Sequence, residues 1–220
     1  MKPRFLIVDD HPLFLTAIRM AVMSAYPGGE VIEATTLEDA RSEIASNGDF
    51  SLVLLDLSLP GVTGFDGLLE LRTLHPKLPV VIISALEDPR IIHEAMTYGA
   101  AGFIAKSVRR NELEIALRDV MNGSVTLPKD YRAPEDNDQS HEISDLARRL
   151  TSLTPQQLRV LKMLRQGMLN KQIAYELRVG ETTVKAHVSE ILRKLNVSSR
   201  TQAVIQVAKT DFGQLSESSD

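Results

Sequence analysis

Apolar and polar positions follow two different rhythms along the chain. In the first half, short apolar runs, the second of them weaker and broken by Glu30 and Glu33, alternate with longer stretches of helical spacing. Phe5-Leu-Ile-Val8, Glu30-Val-Ile-Glu-Ala34, Leu52-Val-Leu-Leu55, Pro79-Val-Val-Ile-Ile-Ser84 and Gly102-Phe-Ile-Ala105 read as five strands. Strands apolar on both faces belong inside a parallel sheet covered by helices. Between them the spacing predicts helices over 12–24, 36–47, 65–75, 89–98 and 108–122, the first with Leu13, Ala17, Met20 and Ala21 as its apolar positions. Thr36 stands as an N-cap with Asp39 at the capping-box place, and Ser107 as the cap of the last helix. Pro27-Gly28-Gly29 and Gly99 end helices. Five βα units in sequence predict an α/β fold built on a doubly wound five-stranded parallel sheet.

The second half has only the helical rhythm. Thr154-Pro155-Gln156-Gln157 starts a helix with Leu158, Leu161, Met163 and Leu164 on its apolar face, and Gly167 stops it. A short helix over 170–178 turns Ile173, Ala174 and Leu177 inward. Val179-Gly180-Glu181 makes a tight turn, and a helix over 182–195 follows. Val184, Val188, Ile191 and Leu195 line one side of it, and Thr182, Lys185, Ser189 and Arg193 the other. Asn196 ends it, and Ser198 or Ser199 starts a last helix to about residue 209. Two short helices joined by a Gly-containing turn suggest a helix-turn-helix; the bland alternative is a small helical bundle with a solvated basic face.

Charge separates the halves further. Residues 1–122 carry 11 Lys and Arg against 17 Asp and Glu, a net of −6, whereas residues 148–210 carry 12 against 3, a net of +9. Residues 123–147 hold Gly123, Pro128, Pro134 and six acids, a solvated connector in which 143–150 reads as a short helix. The last ten residues, 211–220, are an acidic tail with three acids and no base. The expected organisation is therefore an acidic domain over 1–122, a linker over 123–147, a basic domain over 148–210 and the tail. A basic helical domain of this kind points to double-stranded DNA as partner. The chain has no cysteine, which excludes disulfides, thiolate zinc sites and a thiol nucleophile. It has no apolar run long enough to span a bilayer and no signal-peptide stretch at its start, so a soluble, cytoplasmic protein with no membrane partner is expected.

The candidate chemistry lies where the strands end. The first ends at Asp9-Asp10, the third at Asp56, the fourth at Ser84 and the fifth at Lys106. In a parallel sheet these ends share one rim, where open α/β sheets bind ligands. Three carboxylates, a hydroxyl and an ammonium should meet in one shallow pocket. Clustered carboxylates repel one another unless a cation lies between them, and Mg2+ accepts such oxygen ligands while keeping several waters. A carboxylate so masked can attack phosphorus and form an acyl phosphate, with the lysine supplying charge for the phosphoryl oxygens. Each residue also has an ordinary role: Asp9 or Asp10 can cap the first helix, Asp56 can cap a turn before Pro60, and a serine at a strand end or a surface lysine is routine.

As a set, these residues resemble the receiver domain of two-component response regulators. The resemblance rests on Asp9-Asp10, Asp56-x-x-x-Pro60-Gly61-x-x-Gly64, Ser84-Ala85 and Gly99-Ala-Ala-Gly102-Phe103-x-x-Lys106, and it covers residues 1–122. It implies a flavodoxin-like strand order 2-1-3-4-5. It implies that Asp56 accepts a phosphoryl group from a phosphohistidine of a sensor histidine kinase. It further implies Mg2+ held by Asp10, Asp56 and the backbone carbonyl of Ser58, with Asp9 acting through water or orientation, and a phosphoryl group bound by Ser84 and Lys106. Phe103 falls at the family's switch aromatic; the alternative is an ordinary apolar strand residue.

Residues 153–207 resemble the all-α, tetrahelical helix-turn-helix DNA-binding domain of LuxR/NarL-type regulators. The carriers are Leu153-Thr154-Pro155, Val160-Leu161, Gly167, Asn170-Lys-Gln-Ile-Ala174, Leu177, Thr183-Val-Lys-Ala-His187, Lys194-Leu195 and Ser199-Arg200. By resemblance Lys185, Ala186 and Ser189 face base edges, Thr183, His187 and Lys171 lie near the sugar-phosphate backbone, and Thr182 shares the polar side. His187 has the alternative of a packed core position. Three residues depart from the pattern. Gln157 stands where the family usually has Glu, Met168-Leu169 replace a more polar pair and deprive the second helix of a hydroxyl cap, and Ser189 stands where some relatives use Lys.

Together the two resemblances imply a phosphorylation-controlled transcription factor. Phosphorylation frees the basic domain and favours a homodimer on two half-sites, with Ala203, Val204 and Val207 of the last helix as a candidate dimer surface. It is expected to be no enzyme beyond slow self-dephosphorylation. Two rivals remain: a regulator whose pocket is vestigial, and a phosphohydrolase with an aspartyl nucleophile. The second lacks its usual acid two residues after Asp56, where Ser58 stands.

Overall fold

The structure is a computed structural model. It describes residues 2–134 and 138–208, with side chains in the second stretch from residue 145 on. The expected acidic tail and the end of the last helix at residue 209 lie outside the described residues. The chain divides into two compact units, residues 1–140 and 141–220.

In the first unit all five expected strands form: β1 (Arg4–Val8), β2 (Glu30–Ala34), β3 (Leu52–Leu55), β4 (Val80–Ser84) and β5 (Gly102–Ala105). They pair in parallel in the order β2-β1-β3-β4-β5. The register sets Phe5 beside Leu52, Leu54 beside Val81 and Ser84 beside Ala105. Alternation splits the apolar runs between the two faces. Phe5, Ile7, Leu52, Leu54, Val81, Ile83 and Ile104 join a core with α1 (Pro12–Ala25) and α5 (Arg110–Met121). The opposite positions, such as Val53, Leu55 and Ile82, are equally buried, on the face that α2 (Leu37–Asn47), α3 (Asp66–Leu74) and α4 (Pro89–Thr97) cover. The β2 edge is only half-buried.

Local chemistry fixes several boundaries. Thr36 caps α2 by accepting the Asp39 amide at 3.1 Å; the Asp39 carboxylate takes the Thr36 hydroxyl rather than a backbone N–H. Gly99 follows α4 at φ +88°, a left-handed conformation that closes a helix, and Ala100 N–H donates back to Ala95 at 3.0 Å.

Three expectations fail here. First, α1 buries Leu15, Ile18, Ala21 and Val22, leaving Leu13 86% exposed and Met20 half-exposed. Its sequence is apolar nearly all round, so spacing alone did not select the face. Second, Ser107 does not cap α5: its hydroxyl donates to Glu87 at 2.6 Å, and Arg109 precedes the helix with no side-chain cap. Third, the short helix in the linker is longer, since α6 runs Asp138–Thr151. The start of that linker is also tied down: Thr126 bridges Gly102 in parallel and its carbonyl accepts the Phe103 amide at 2.9 Å.

The second unit holds α7 (Pro155–Arg165), α8 (Asn170–Leu177), α9 (Glu181–Leu195) and α10 (Arg200–Ala208). Leu146, Ala147 and Leu150 of α6 join its core with Leu158, Leu161, Ile173, Val184, Ile191 and Leu195. Thr154 and Gln157 complete a reciprocal capping box on α7. Gln157 Oε1 also accepts Lys194 Nζ at 2.9 Å, so its neutral amide serves where a carboxylate is usual. Leu169 has no side-chain acceptor, and α8 keeps only half of such a box, Leu169 N–H to Gln172 Oε1 at 2.7 Å. The turn between α8 and α9 carries its left-handed residue at Arg178 (φ 53°), while Gly180 serves as the N-cap at φ −70°. Ala203 and Val207 are buried among α7, α9 and α10 and cannot form a dimer surface; Val204 is half-buried, and Ile205 faces solvent.

Candidate functional site

The carboxyl edge of the sheet gathers all the strand-end residues. Asp9 follows β1, held by its own amide on the Ala34 carbonyl at 3.1 Å, and Asp56 follows β3, held by its amide on Val8 at 2.9 Å. Lys106 follows β5, its amide on the Ser84 carbonyl at 2.7 Å. Backbone pairing between neighbouring strands thus places acid, acid and ammonium with little freedom. Lys106 Nζ lies 2.6 Å from Asp9 Oδ2 and 2.9 Å from Asp56 Oδ2, and it sits 4.7 Å above the Phe14 ring.

Asp9, Asp56 and Ser84 are buried, and Asp10 is partly open to solvent. Burial alone would lower the pKa of the Lys106 ammonium. The contacts with Asp9 and Asp56 outweigh that cost and hold it above the usual lysine range. The ordinary roles weighed for the acids are partly present. Asp9 Oδ1 accepts the His11 amide at 2.9 Å and Asp56 Oδ1 the Ser58 amide at 3.2 Å. Neither Asp9 nor Asp10 caps α1, whose N-cap is His11 with no side-chain bond to the helix.

The three carboxylates suit a hard cation. One ligand atom from each of Asp9, Asp10, His11 and Asp56 falls within 4.8 Å of the others. Asp9 Oδ2 and Asp10 Oδ1 are screened from water without a hydrogen bond of good angle. Lys106 and His11 meet them at ion-pair distance only. His11 was not among the residues singled out from the sequence. The signal was a third polar residue in the run after β1, masked by its place before Pro12, where it reads as a helix start. Ser84 is fully buried and its Oγ accepts the Leu86 amide at 3.1 Å, leaving its proton for another acceptor. Phe103 is buried at the position facing Ile82 across the strand pair. Ser58 is exposed on the loop after Asp56.

In the second unit, α8 and α9 join at the Arg178–Gly180 turn. Thr182, Thr183, Lys185, Ala186 and Ser189 are all exposed on α9, and Lys171 is exposed on α8. His187 is half-buried, which removes the packed-core alternative in its full form. Lys185 Nζ pairs with Glu181 at 3.0 Å, a surface pair that a phosphate or base edge can displace.

Comparison with known proteins follows this division. The family described as "Response regulator receiver domain" matches residues 5–118, and "Bacterial regulatory proteins, luxR family" matches residues 151–207. The chain belongs to the response regulators.

Among relatives of this response regulator, the "Glycerol metabolism activator" of Pseudomonas putida is 45% identical over 95% of this chain and 96% of its own. The "Nitrate/nitrite response regulator protein NarL" of Escherichia coli (strain K12) is 30% identical over 92% of this chain and 93% of its own. The solved "Structure of two RcsB dimers bound to two parallel DNAs" shares the fold at a TM-score of 0.55 and 20% identity, covering 94% of this chain and 98% of that one. The response regulator thus joins a flavodoxin-like receiver to a LuxR-type helix-turn-helix, a transcription regulator by family. Among the described residues, no helix is long and apolar enough to cross a membrane.

Proposed function

We propose that this response regulator takes a phosphoryl group onto Asp56 from the phosphohistidine of a sensor histidine kinase and thereby changes its grip on DNA. The observation that carries the reading is the convergence at Asp56: Lys106 Nζ at 2.9 Å from its Oδ2, with Asp9 and Asp10 gathered beside it and Ser84 buried at the end of the neighbouring strand. An Asp56 oxygen attacks phosphorus, the P–N bond breaks, and the histidine nitrogen leaves with the bonding pair. Lys106 holds the attacking carboxylate in line and then neutralises a phosphoryl oxygen. The Ser84 proton, uncommitted in the loop, donates to another. Asp9, Asp10, Asp56 and the Ser58 carbonyl are the residues to hold Mg2+, whose charge offsets that of the incoming phosphoryl group. Phe103, buried on β5 beside Ile82, acts as the switch aromatic. Slow self-dephosphorylation is the only hydrolysis expected.

The DNA reading rests on an exposed polar side of α9 in a unit rich in base. Lys185, Ala186 and Ser189 reach base edges in the major groove, and Lys171, Thr182, Thr183 and His187 secure the backbone. Phosphorylation favours a homodimer on two half-sites, and the name of the 45% identical relative supports activation as the output. The protein works in the cytoplasm, its domains bounded as 1–122, 123–147, 148–210 and 211–220.

Acetyl phosphate labelling followed by DNA-binding anisotropy tests this. The wild-type chain should gain a Mg2+-dependent, slowly lost phosphoryl group together with tighter DNA binding, and Asp56→Asn should lose both. Lys185→Ala should weaken specific binding about 5- to 150-fold, corresponding to roughly 1–3 kcal/mol. Unchanged DNA binding in Asp56→Asn would favour the vestigial pocket, and rapid turnover of phosphoesters the hydrolase.

A further inference from the structure

We propose that His11 is a nitrogen ligand of the pocket cation, which makes the site a mixed nitrogen–oxygen one that holds Mn2+, Co2+ or Zn2+ more tightly than an all-oxygen pocket would. The inference deepens the phosphoacceptor reading, because it concerns the cation of that same pocket. The geometry supplies the first argument. His11 Nδ1 lies 2.9 Å from Asp10 Oδ1, 3.1 Å from Asp9 Oδ1 and 4.0 Å from Asp56 Oδ2. Atoms that share one metal at bonds of about 2.1 Å stand roughly 3–4 Å apart, so the imidazole nitrogen occupies a ligand's place among the three acids.

The second argument is how the ring is held. The His11 amide donates to Asp9 Oδ1 at 2.9 Å, and the ring meets Phe14 edge-on, with centroids 6.4 Å apart and planes at 85°. Pro12 then opens α1 at the next residue. The backbone entering the helix and the Phe14 ring both fix the direction in which the imidazole points. Its side chain is 55% exposed, so the far nitrogen can keep its proton in water while Nδ1 turns to the acids. Lys106 approaches Asp9 and Asp56 through their Oδ2 atoms, and His11 approaches Asp9 through Oδ1. At Asp9 the two groups therefore need not compete for one oxygen, and at Asp56 Lys106 holds Oδ2, 4.0 Å from the imidazole nitrogen.

Ligand chemistry sets the consequence. Carboxylates suit Mg2+ and Mn2+ alike, but an imidazole favours the later first-row divalent ions, whose affinities rise along the series from Mn2+. Removing the nitrogen should weaken these ions and leave Mg2+ nearly untouched.

The experiment titrates the untagged, full-length chain with CoCl2 and with MgCl2 by calorimetry, with the visible absorption of Co2+ as a second readout. Three chains are compared: wild type, His11→Phe and Asp10→Ala. The phenyl group keeps the edge contact with Phe14 and removes both nitrogens. We expect one equivalent of Co2+ in wild type, displaced by excess Mg2+. His11→Phe should raise the Co2+ dissociation constant at least tenfold and that of Mg2+ less than twofold, and Asp10→Ala should weaken both ions.

If His11→Phe melts lower than wild type without metal, His11→Asn takes its place, with the same expectation. Equal Co2+ affinity with and without the imidazole, parallel loss of both ions, or Co2+ retained by Asp10→Ala would overturn the inference. If neither ion binds wild type, the cation site itself fails. If both bind as expected but acetyl phosphate never labels Asp56, the phosphoacceptor reading fails and the His11 inference stands.

Discussion

Glu94 should make the receiver less stable as the solution turns basic. The carboxyl is 3% exposed on α4, and its Oε2 has no hydrogen-bond partner. Burial pushes it up from 4.5 to about 7; Arg90 pulls the other way, and the charge of Asp88 adds to the rise. Tyr98, one turn on, is itself pushed upward by burial and by the charges of Glu94 and Asp66. Below pH 4.5 the group is protonated in the folded and unfolded chain alike. There the stability it lends relative to basic solution is fully present. Between 4.5 and 7 only the folded chain keeps the proton, so that stability falls as pH rises and is gone once pH has passed 7.

A shift of this size corresponds to about 3 kcal/mol, of which roughly 2 to 3 kcal/mol should vanish between pH 5 and 8.5. Glu94→Gln keeps the shape and removes the charge. Urea unfolding of both chains in EDTA, followed by tyrosine emission from the Tyr98–Phe65 contact, measures the difference. The variant should gain on the wild type by that amount between the two pH values. A difference that stays flat to within about 0.5 kcal/mol would show that the carboxyl is solvated or paired, and the reasoning would fail.

Other substitutions probe other contacts. Lys106→Met leaves the buried Asp9 and Asp56 without their cation and should cost about 3 kcal/mol in EDTA, read by thermal melting, with added Mg2+ restoring more in the variant than in wild type. Gly102→Ala would set a Cβ 2.7 Å from Thr126 Cγ2 and 3.0 Å from its carbonyl oxygen. The Thr126 segment must then move, faster exchange of the Phe103 amide should follow, and stability should fall by about 1–3 kcal/mol. Arg178→Gly relieves a left-handed backbone that disfavours side chains, and the transition of the second unit should rise by about 1 kcal/mol in urea unfolding.

The strand ends were legible because each apolar run stops abruptly at a polar residue, and parallel pairing carries those residues to one rim. Asp9, Asp10, Asp56, Ser84 and Lys106 needed nothing more. The face of α1 was not legible: Leu13, Phe14, Leu15, Ile18, Met20, Ala21, Val22 and Met23 give several arcs, and only contact with α5 selects one. The extent of α6 was hidden by its acids. Leu146, Ala147 and Leu150 show as a buried side only once the core exists, where Arg149 also reaches the Leu195 carbonyl at 3.2 Å. Arg178 escaped notice because a glycine two residues later offered the simpler turn. His11 carried no expectation, standing just before the helix that Pro12 opens, although its ring meets the acids that precede it.

The bridge at Thr126 has a consequence for assembly. A five-stranded open sheet has two rims of unsatisfied backbone, each a template for a foreign strand. On the β5 side the departing chain occupies that template itself, through the Phe103–Thr126 bond. On the β2 side, Glu30 and Glu33 pair with Arg4 and Arg19 at 2.7 and 2.6 Å, so a neighbour would meet a hedge of bound charges. Addition of a foreign strand is thus disfavoured at both edges of the sheet, by a backbone bond of the chain's own on one side and by paired charges on the other.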